Sequence, residues 1–135
     1  MEYRNTLTTC IYCGSGCGMY IETIDGQITG VWPAKTNQIS EGRLCIKGWN
    51  VTGFVNDPDR LKTPLIRKGD EFVEAGWDEA LALIADRLNS IKGKSGPDSI
   101  GLLTSAKCTN EENYLMNKLA RAVIGTNNID HCARL

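Results

Sequence analysis

Six cysteines stand among 135 residues, and four of them form a pattern: Cys10-x2-Cys13-x3-Cys17, then Cys45 after 27 further residues. Thiolates are the soft ligands of structural zinc and of iron–sulfur clusters, and four is the usual number for both. Spacing separates the two. A structural zinc usually takes two tight cysteine pairs, each on its own turn, because one ion needs a compact tetrahedron. Here three thiols share one loop and the fourth comes from far along the chain, so the loop must wrap a larger body that offers each thiolate its own corner. That favours a [4Fe–4S] cubane. Gly14, Gly16 and Gly18 are interleaved with the thiols. Without side chains they let backbone N–H groups approach sulfur, a contact that helps set a cluster's reduction potential. They lack the G-x-G-x-x-G spacing of a dinucleotide loop.

The other two thiols carry weaker signals. Cys108 follows an expected strand at the end where α/β sheets bind ligands, and is read as a small buried hydrophobe. Cys132 adjoins His131, the chain's one histidine, but sequence neighbours do not make a catalytic pair. His131 is read as a local packing or hydrogen-bonding residue. A helix start at Thr109 could receive a dinucleotide phosphate, and Glu111 and Glu112 oppose that electrostatically.

These residues need a scaffold. Thr6–Cys10 is β-prone, and Met19–Ile24 alternates before Asp25-Gly26, a strong two-residue hairpin turn that returns the chain through Gln27–Trp32 to a stop at Pro33. A short helix is expected over Trp49–Val55, ending before Pro58. Pro64–Arg67 and Phe72–Ala75 read as a second hairpin around residues 68–71. From Asp78 a helix carries Leu81, Ile84, Ala85, Leu88 and Ile91 as one apolar stripe, and Lys92–Pro97 reads as a breaker. Ser99–Ser105 reads as a buried strand. Thr109-Asn-Glu-Glu112 has the form of a capping box opening a helix to about Ile124, closed by Gly125 as C′ residue. Asn127–Asp130 reads as a further strand. The expected fold class is mixed: a small β-rich cluster domain over residues 1–62, then the first part of an incomplete α/β, Rossmann-like sheet domain over 63–135.

Composition narrows the function classes. Fifteen basic and sixteen acidic side chains give a net charge of −1, without a basic stripe, so nucleic acid and anionic membrane are poor partners. No apolar run approaches the roughly 18 residues of a membrane span. The N-terminal residues lack the pattern of a secretory signal, and a cytoplasmic location is expected. In a reducing cytoplasm metal binding explains a cysteine cluster better than disulfides do.

Beyond the thiols stand Gly42–Gly48, Asp57–Arg67 and Trp77–Ala80. Jointly with the cysteine pattern they resemble the N-terminal part of molybdopterin-dependent oxidoreductases. Asn113-Tyr114, Lys118–Asp130 and Cys132–Leu135 resemble formate dehydrogenase catalytic subunits in particular. The cysteine pattern alone is shared with nitrate reductases and with a respiratory-complex subunit that has lost the metal. The resemblance implies a [4Fe–4S] cluster on Cys10, Cys13, Cys17 and Cys45, beside molybdenum or tungsten held by two pterin guanine dinucleotides. Lys47 matches the family lysine between cluster and pterin, which binds the cofactor and lies on the electron path. The implied reaction interconverts formate and carbon dioxide, and the implied partners are the C-terminal remainder of the catalytic subunit and iron–sulfur electron-transfer subunits or a hydrogenase module. Another molybdopterin enzyme of nitrate reductase type, or a stand-alone iron–sulfur carrier, are the alternatives. In the resembling family the metal-ligating selenocysteine or cysteine would follow Leu135. The expectation is therefore that an in-frame selenocysteine codon was read as a stop, with a designed fragment or a split enzyme as the alternatives, and that this chain alone is inactive.

Overall fold

The computed structural model describes residues 1–132. Ala133–Leu135, the last part of the motif that precedes the expected metal ligand, lie outside the described residues. The chain divides into two compact units, Met1–Arg60 with Ser105–Asn113, and Leu61–Thr104 with Tyr114–Cys132.

In the first unit, β1 (Tyr3–Thr9), β2 (Gly18–Ile24) and β3 (Gln27–Pro33) form an antiparallel sheet in the order β1-β2-β3. The Asp25-Gly26 turn is as expected: Ile24 pairs with Gln27, and both turn residues have positive φ, 49° and 80°. This is the type I′ geometry whose twist matches that of the strands. β1 and β2 stay in register from Tyr3 opposite Ile24 to Thr9 opposite Gly18. The Cys10 amide then donates to the Cys17 carbonyl at 2.8 Å, so residues 10–17 form the closed end of this strand pair. Beneath it, Cys10, Met19, Val31 and Val51 form a buried core, with Tyr12, Cys17, Ile21 and Leu44 packed against them.

The short helix lies earlier than expected. α1 spans Ile46–Trp49, directly after Cys45, and residues 50–56 are turns. The bonds from Asn50, Val51, Gly53 and Val55 amides each reach back three residues. β-branched Val51 and Thr52 and flexible Gly53 favour such tight turns over a continuing α-helix.

In the second unit, β4 (Leu65–Lys68) and β5 (Glu71–Glu74) pair as a hairpin with Lys68 opposite Glu71, turned at Gly69 with φ 67°. α2 runs Trp77–Ser95, through part of the expected breaker. Gly93 alone does not end it, because one glycine costs a helix only about 1 kcal/mol. The stop comes at Gly96, with φ 80°, followed by a 3-10 turn over Pro97–Ser99.

β6 is Leu102–Ser105 and β7 is Ile129–Cys132. The Leu102 amide donates to the Asn128 carbonyl and Thr104 Oγ1 to the Asp130 carbonyl. Both contacts advance in the same direction along the two strands, as parallel neighbours do. β6 is buried on one face only: Leu102 is buried and Leu103 is exposed. α3 (Asn110–Lys118) passes into a π-helical stretch, Leu119–Ile124. Gly125 closes it in the left-handed conformation, its amide bonding back five residues to the Ala120 carbonyl at 2.8 Å. The capping box is present, with the Thr109 amide donating to Glu112 Oε2 at 2.7 Å and the Glu112 amide to Thr109 Oγ1 at 3.3 Å. Ile100, Leu102, Ala120 and Ile124 form the second buried core. The class is therefore mixed α/β, with three small sheets among the described residues.

Candidate metal centre

The hairpin end and α1 bring the four patterned cysteines to one place. Cys10, Cys13, Cys17 and Cys45 all line a single cavity of about 300 Å³, walled by Tyr12 and Leu44, with Lys47 and Lys107 also on its lining. Cys10 is buried, Cys13 and Cys17 are half-buried and Cys45 is exposed, and all four are unbridged thiols.

Each thiol's surroundings act on its ionisation. Cys13 Sγ lies 3.4 Å from Ser15 Oγ. With the thiol ionised, that hydroxyl donates to it, as does the Ser15 backbone amide, and together with the Lys47 ammonium they hold Cys13 below the ordinary thiol range. Backbone N–H groups of Gly48 and Lys47 lower Cys45 in the same way. They belong to the first turn of α1, where helix amides have no partner within the helix. Cys17 is raised, first by burial and then by its neighbours Cys10, Cys13 and Cys45. Four mutually repelling thiolates need positive charge among them, which the irons of a cluster would supply.

Among the described residues no three His, Cys, Asp or Glu side chains are grouped as ligands of one metal ion. The donor set here is instead four sulfurs around a shared space, with the Ser15 hydroxyl 3.4 Å from Cys13 Sγ and Lys47 on the same lining. Those features fit a [4Fe–4S] cluster, whose irons occupy separate corners.

The interleaved glycines have a second purpose that spacing did not reveal. A Cβ on Gly18 would fall 2.6 Å from Asn37 Cβ, and one on Gly14 would collide with the Asn110 amide, while Gly16 has φ +69° and open space around it. Asn37 Nδ2 donates to the Gly16 carbonyl at 3.4 Å and Asn110 Nδ2 to the Gly14 carbonyl at 3.3 Å. Neither asparagine is singled out by motif, because each contact depends on a distant segment folding back.

The remaining expected residues stand apart from the cavity lining. Cys108 is half-buried rather than buried, since its amide closes a surface turn onto the Ser105 carbonyl. Cys132 is exposed. His131 makes local hydrogen bonds, its amide to Asp130 Oδ1 and its Nδ1 with the Cys132 carbonyl at 2.9 Å. At the start of α3, the Glu112 carboxylate takes the Thr109 amide, which leaves that end negatively charged.

Comparison with known proteins agrees with the motif reading. Residues 3–57 match the profile of the molybdopterin oxidoreductase Fe4S4 domain, and residues 60–135 match that of molybdopterin oxidoreductase. The chain is 52% identical over its whole length to the F420-dependent formate dehydrogenase 1 subunit alpha of Methanococcus maripaludis, and spans 19% of that protein. It is 47% identical to the F420-dependent formate dehydrogenase subunit alpha of Methanocaldococcus jannaschii, again over the whole chain and 19% of the relative. Among solved structures, acetylene hydratase from Pelobacter acetylenicus superposes with a TM-score of 0.71, at 23% identity, over 93% of this chain and 18% of that one, a likeness of fold. With more than half its length matched by the family profile, the chain belongs to the molybdopterin oxidoreductase family.

Proposed function

We propose that this chain is the N-terminal piece of a formate dehydrogenase or carbon dioxide reductase catalytic subunit. Cys10, Cys13, Cys17 and Cys45 would hold a [4Fe–4S] cluster that relays electrons between a molybdenum or tungsten bis-pterin centre and partner subunits. The convergence of four thiols on one cavity beside Lys47 carries this reading, and whole-length similarity to formate dehydrogenase alpha subunits supports the choice of reaction. When bound, the cluster supplies one-electron storage and the pterin-held metal the chemistry at the formate carbon.

The chain's own residues do the rest. Tyr12 and Leu44 wall the cavity and lower the local dielectric around the sulfurs. N–H groups of Ser15, Lys47 and Gly48 stabilise negative charge on Cys13 and Cys45. The Lys47 ammonium favours the anionic thiolates and, as the matching family lysine, binds pterin on the electron path. Residues 1–62 form the cluster domain. Residues 63–135 open an α/β, Rossmann-like domain for a pterin dinucleotide, completed by later sequence or another chain, and the parallel β6 and β7 joined through α3 support that assignment. The setting is cytoplasmic, with iron–sulfur subunits or a hydrogenase module as partners. None of the helices among the described residues is long and apolar enough to cross a membrane.

Anaerobic purification from the native host, with whatever polypeptides accompany the chain, tests the reading. Formate should bleach the cluster's visible absorbance. A preparation that nitrate reoxidises but formate never reduces would move the enzyme to the nitrate reductase type.

A further inference from the structure

The thiol loop has almost no regular structure of its own, yet two asparagine side chains grip it at defined points. Gly14 and Gly16 each supply a carbonyl to one of them. A peptide unit is planar and trans, so its C=O and N–H point in opposite directions. Holding a carbonyl therefore fixes where the next residue's N–H points. The Gly14 carbonyl shares its peptide plane with the N–H of Ser15, whose hydroxyl lies 3.4 Å from Cys13 Sγ. The Gly16 carbonyl shares its plane with the N–H of Cys17, whose side chain is on the cavity lining. A hydrogen bond at the carbonyl also polarises the same unit and strengthens its N–H as a donor.

Both asparagines are themselves held. Asn37 Oδ1 accepts from the Ile39 and Ser40 amides at 3.0 and 2.8 Å and from Ser40 Oγ at 3.1 Å, which leaves Nδ2 directed at Gly16. Asn110 is the first residue of α3, next to Thr109, whose amide and hydroxyl are locked by Glu112. Gly18 and Gly14 let the two amides come this close.

We propose that Asn37 and Asn110 are positioning residues that orient the Cys17 and Ser15 N–H groups toward cluster sulfurs, and so raise the cluster's reduction potential. The inference rests on the [4Fe–4S] reading above. N–H donors favour the more negative, reduced cluster, so losing one lowers the potential.

The test is an EPR-monitored redox titration of the protein purified anaerobically from its host, with iron and sulfide counted in every sample. Wild type without iron and sulfide refutes the cluster reading itself, and is thereby distinguished from failure of this inference. Asn110→Ala and Asn37→Ala should each keep a full cluster and shift the one-electron equilibrium about fivefold toward oxidised, the worth of one hydrogen bond, or about 40 mV lower. Asn110→Asp keeps the shape and suits a helix start, but its carboxylate cannot donate to Gly14. It should fall at least as far as Asn110→Ala. An unchanged potential in both alanine variants overturns the proposal. So does a shift in Asn110→Asp alone, which would be the added charge acting. Loss of the cluster from Asn110→Ala with an unshifted Asn110→Asp also overturns it, because the asparagine would then be only a structural prop.

Discussion

The thiol loop and α2 are opposite solutions to ordering a segment. Residues 10–17 have no helix or strand pattern, yet they are closed by a backbone bond between Cys10 and Cys17, seated on a core with Met19 only 2% exposed, and gripped by two asparagine amides. α2 has a strong helical pattern over nineteen residues, and only Ala80 on it is buried. Leu81 and Ile84 of its stripe are more than half exposed. Regular backbone structure therefore does not mark where side chains are buried. Tertiary hydrogen bonds and core contacts do that.

Substitutions in the two regions put this contrast to the test. Cys45→Ala removes one of the four proposed cluster ligands, so iron and sulfide should be lost from the purified protein almost entirely. Next, Met19→Ala empties a fully buried site and should lower unfolding free energy by about 3 kcal/mol in denaturant titration. Leu81→Ala, on the exposed stripe of α2, should change it by no more than about 0.5 kcal/mol. A loss at Leu81 as large as at Met19 would mean that this stripe is covered in the purified protein, and the contrast would fail.

A smaller effect is expected at Thr109, where alanine removes the cap of α3 at a cost of about 1 kcal/mol. Its partner Glu112 is held below the usual carboxylate range by the Thr109 amide and hydroxyl. A depressed carboxylate contributes stability above its unfolded pKa, near 4.3, and loses it as pH falls through the folded value. The Thr109→Ala deficit should therefore shrink on acidification below about pH 4. The smallest effect is a difference in reactivity. In cluster-free protein, alkylation of Cys13 and Cys45, whose thiols are lowered, should begin at lower pH than that of Cys17, which is raised. Peptide mapping of the alkylated sites across pH reads the order.

Much of the fold was legible because local chemistry decided it. Asp25-Gly26 specifies a turn that needs positive φ, Thr109 and Glu112 form a cap within three residues, and the stripe from Leu81 to Ile91 has a helical period. The errors fall where local signals compete. α1 begins at Ile46 rather than near Trp49 because the turn after Cys45 seeds it, and Gly93 was too weak a breaker to stop α2. The π-helical stretch before Gly125 had no local signature. At the site, spacing and resemblance singled out the four cysteines and Lys47, and the structure brings all five to one cavity lining. Asn37 and Asn110 were not singled out, since Asn110 meets Gly14 from 96 residues away and no pattern within a segment encodes that approach.

The proposed function requires the sulfurs of Cys10, Cys13, Cys17 and Cys45 to enclose one iron–sulfur cubane. Metal and labile-sulfide analysis of anaerobically purified protein, with EPR after reduction, tests it most directly. A brown protein with about four irons and four sulfides per chain and the signal of a reduced [4Fe–4S] cluster is expected. A colourless protein carrying one zinc and no labile sulfide would contradict it.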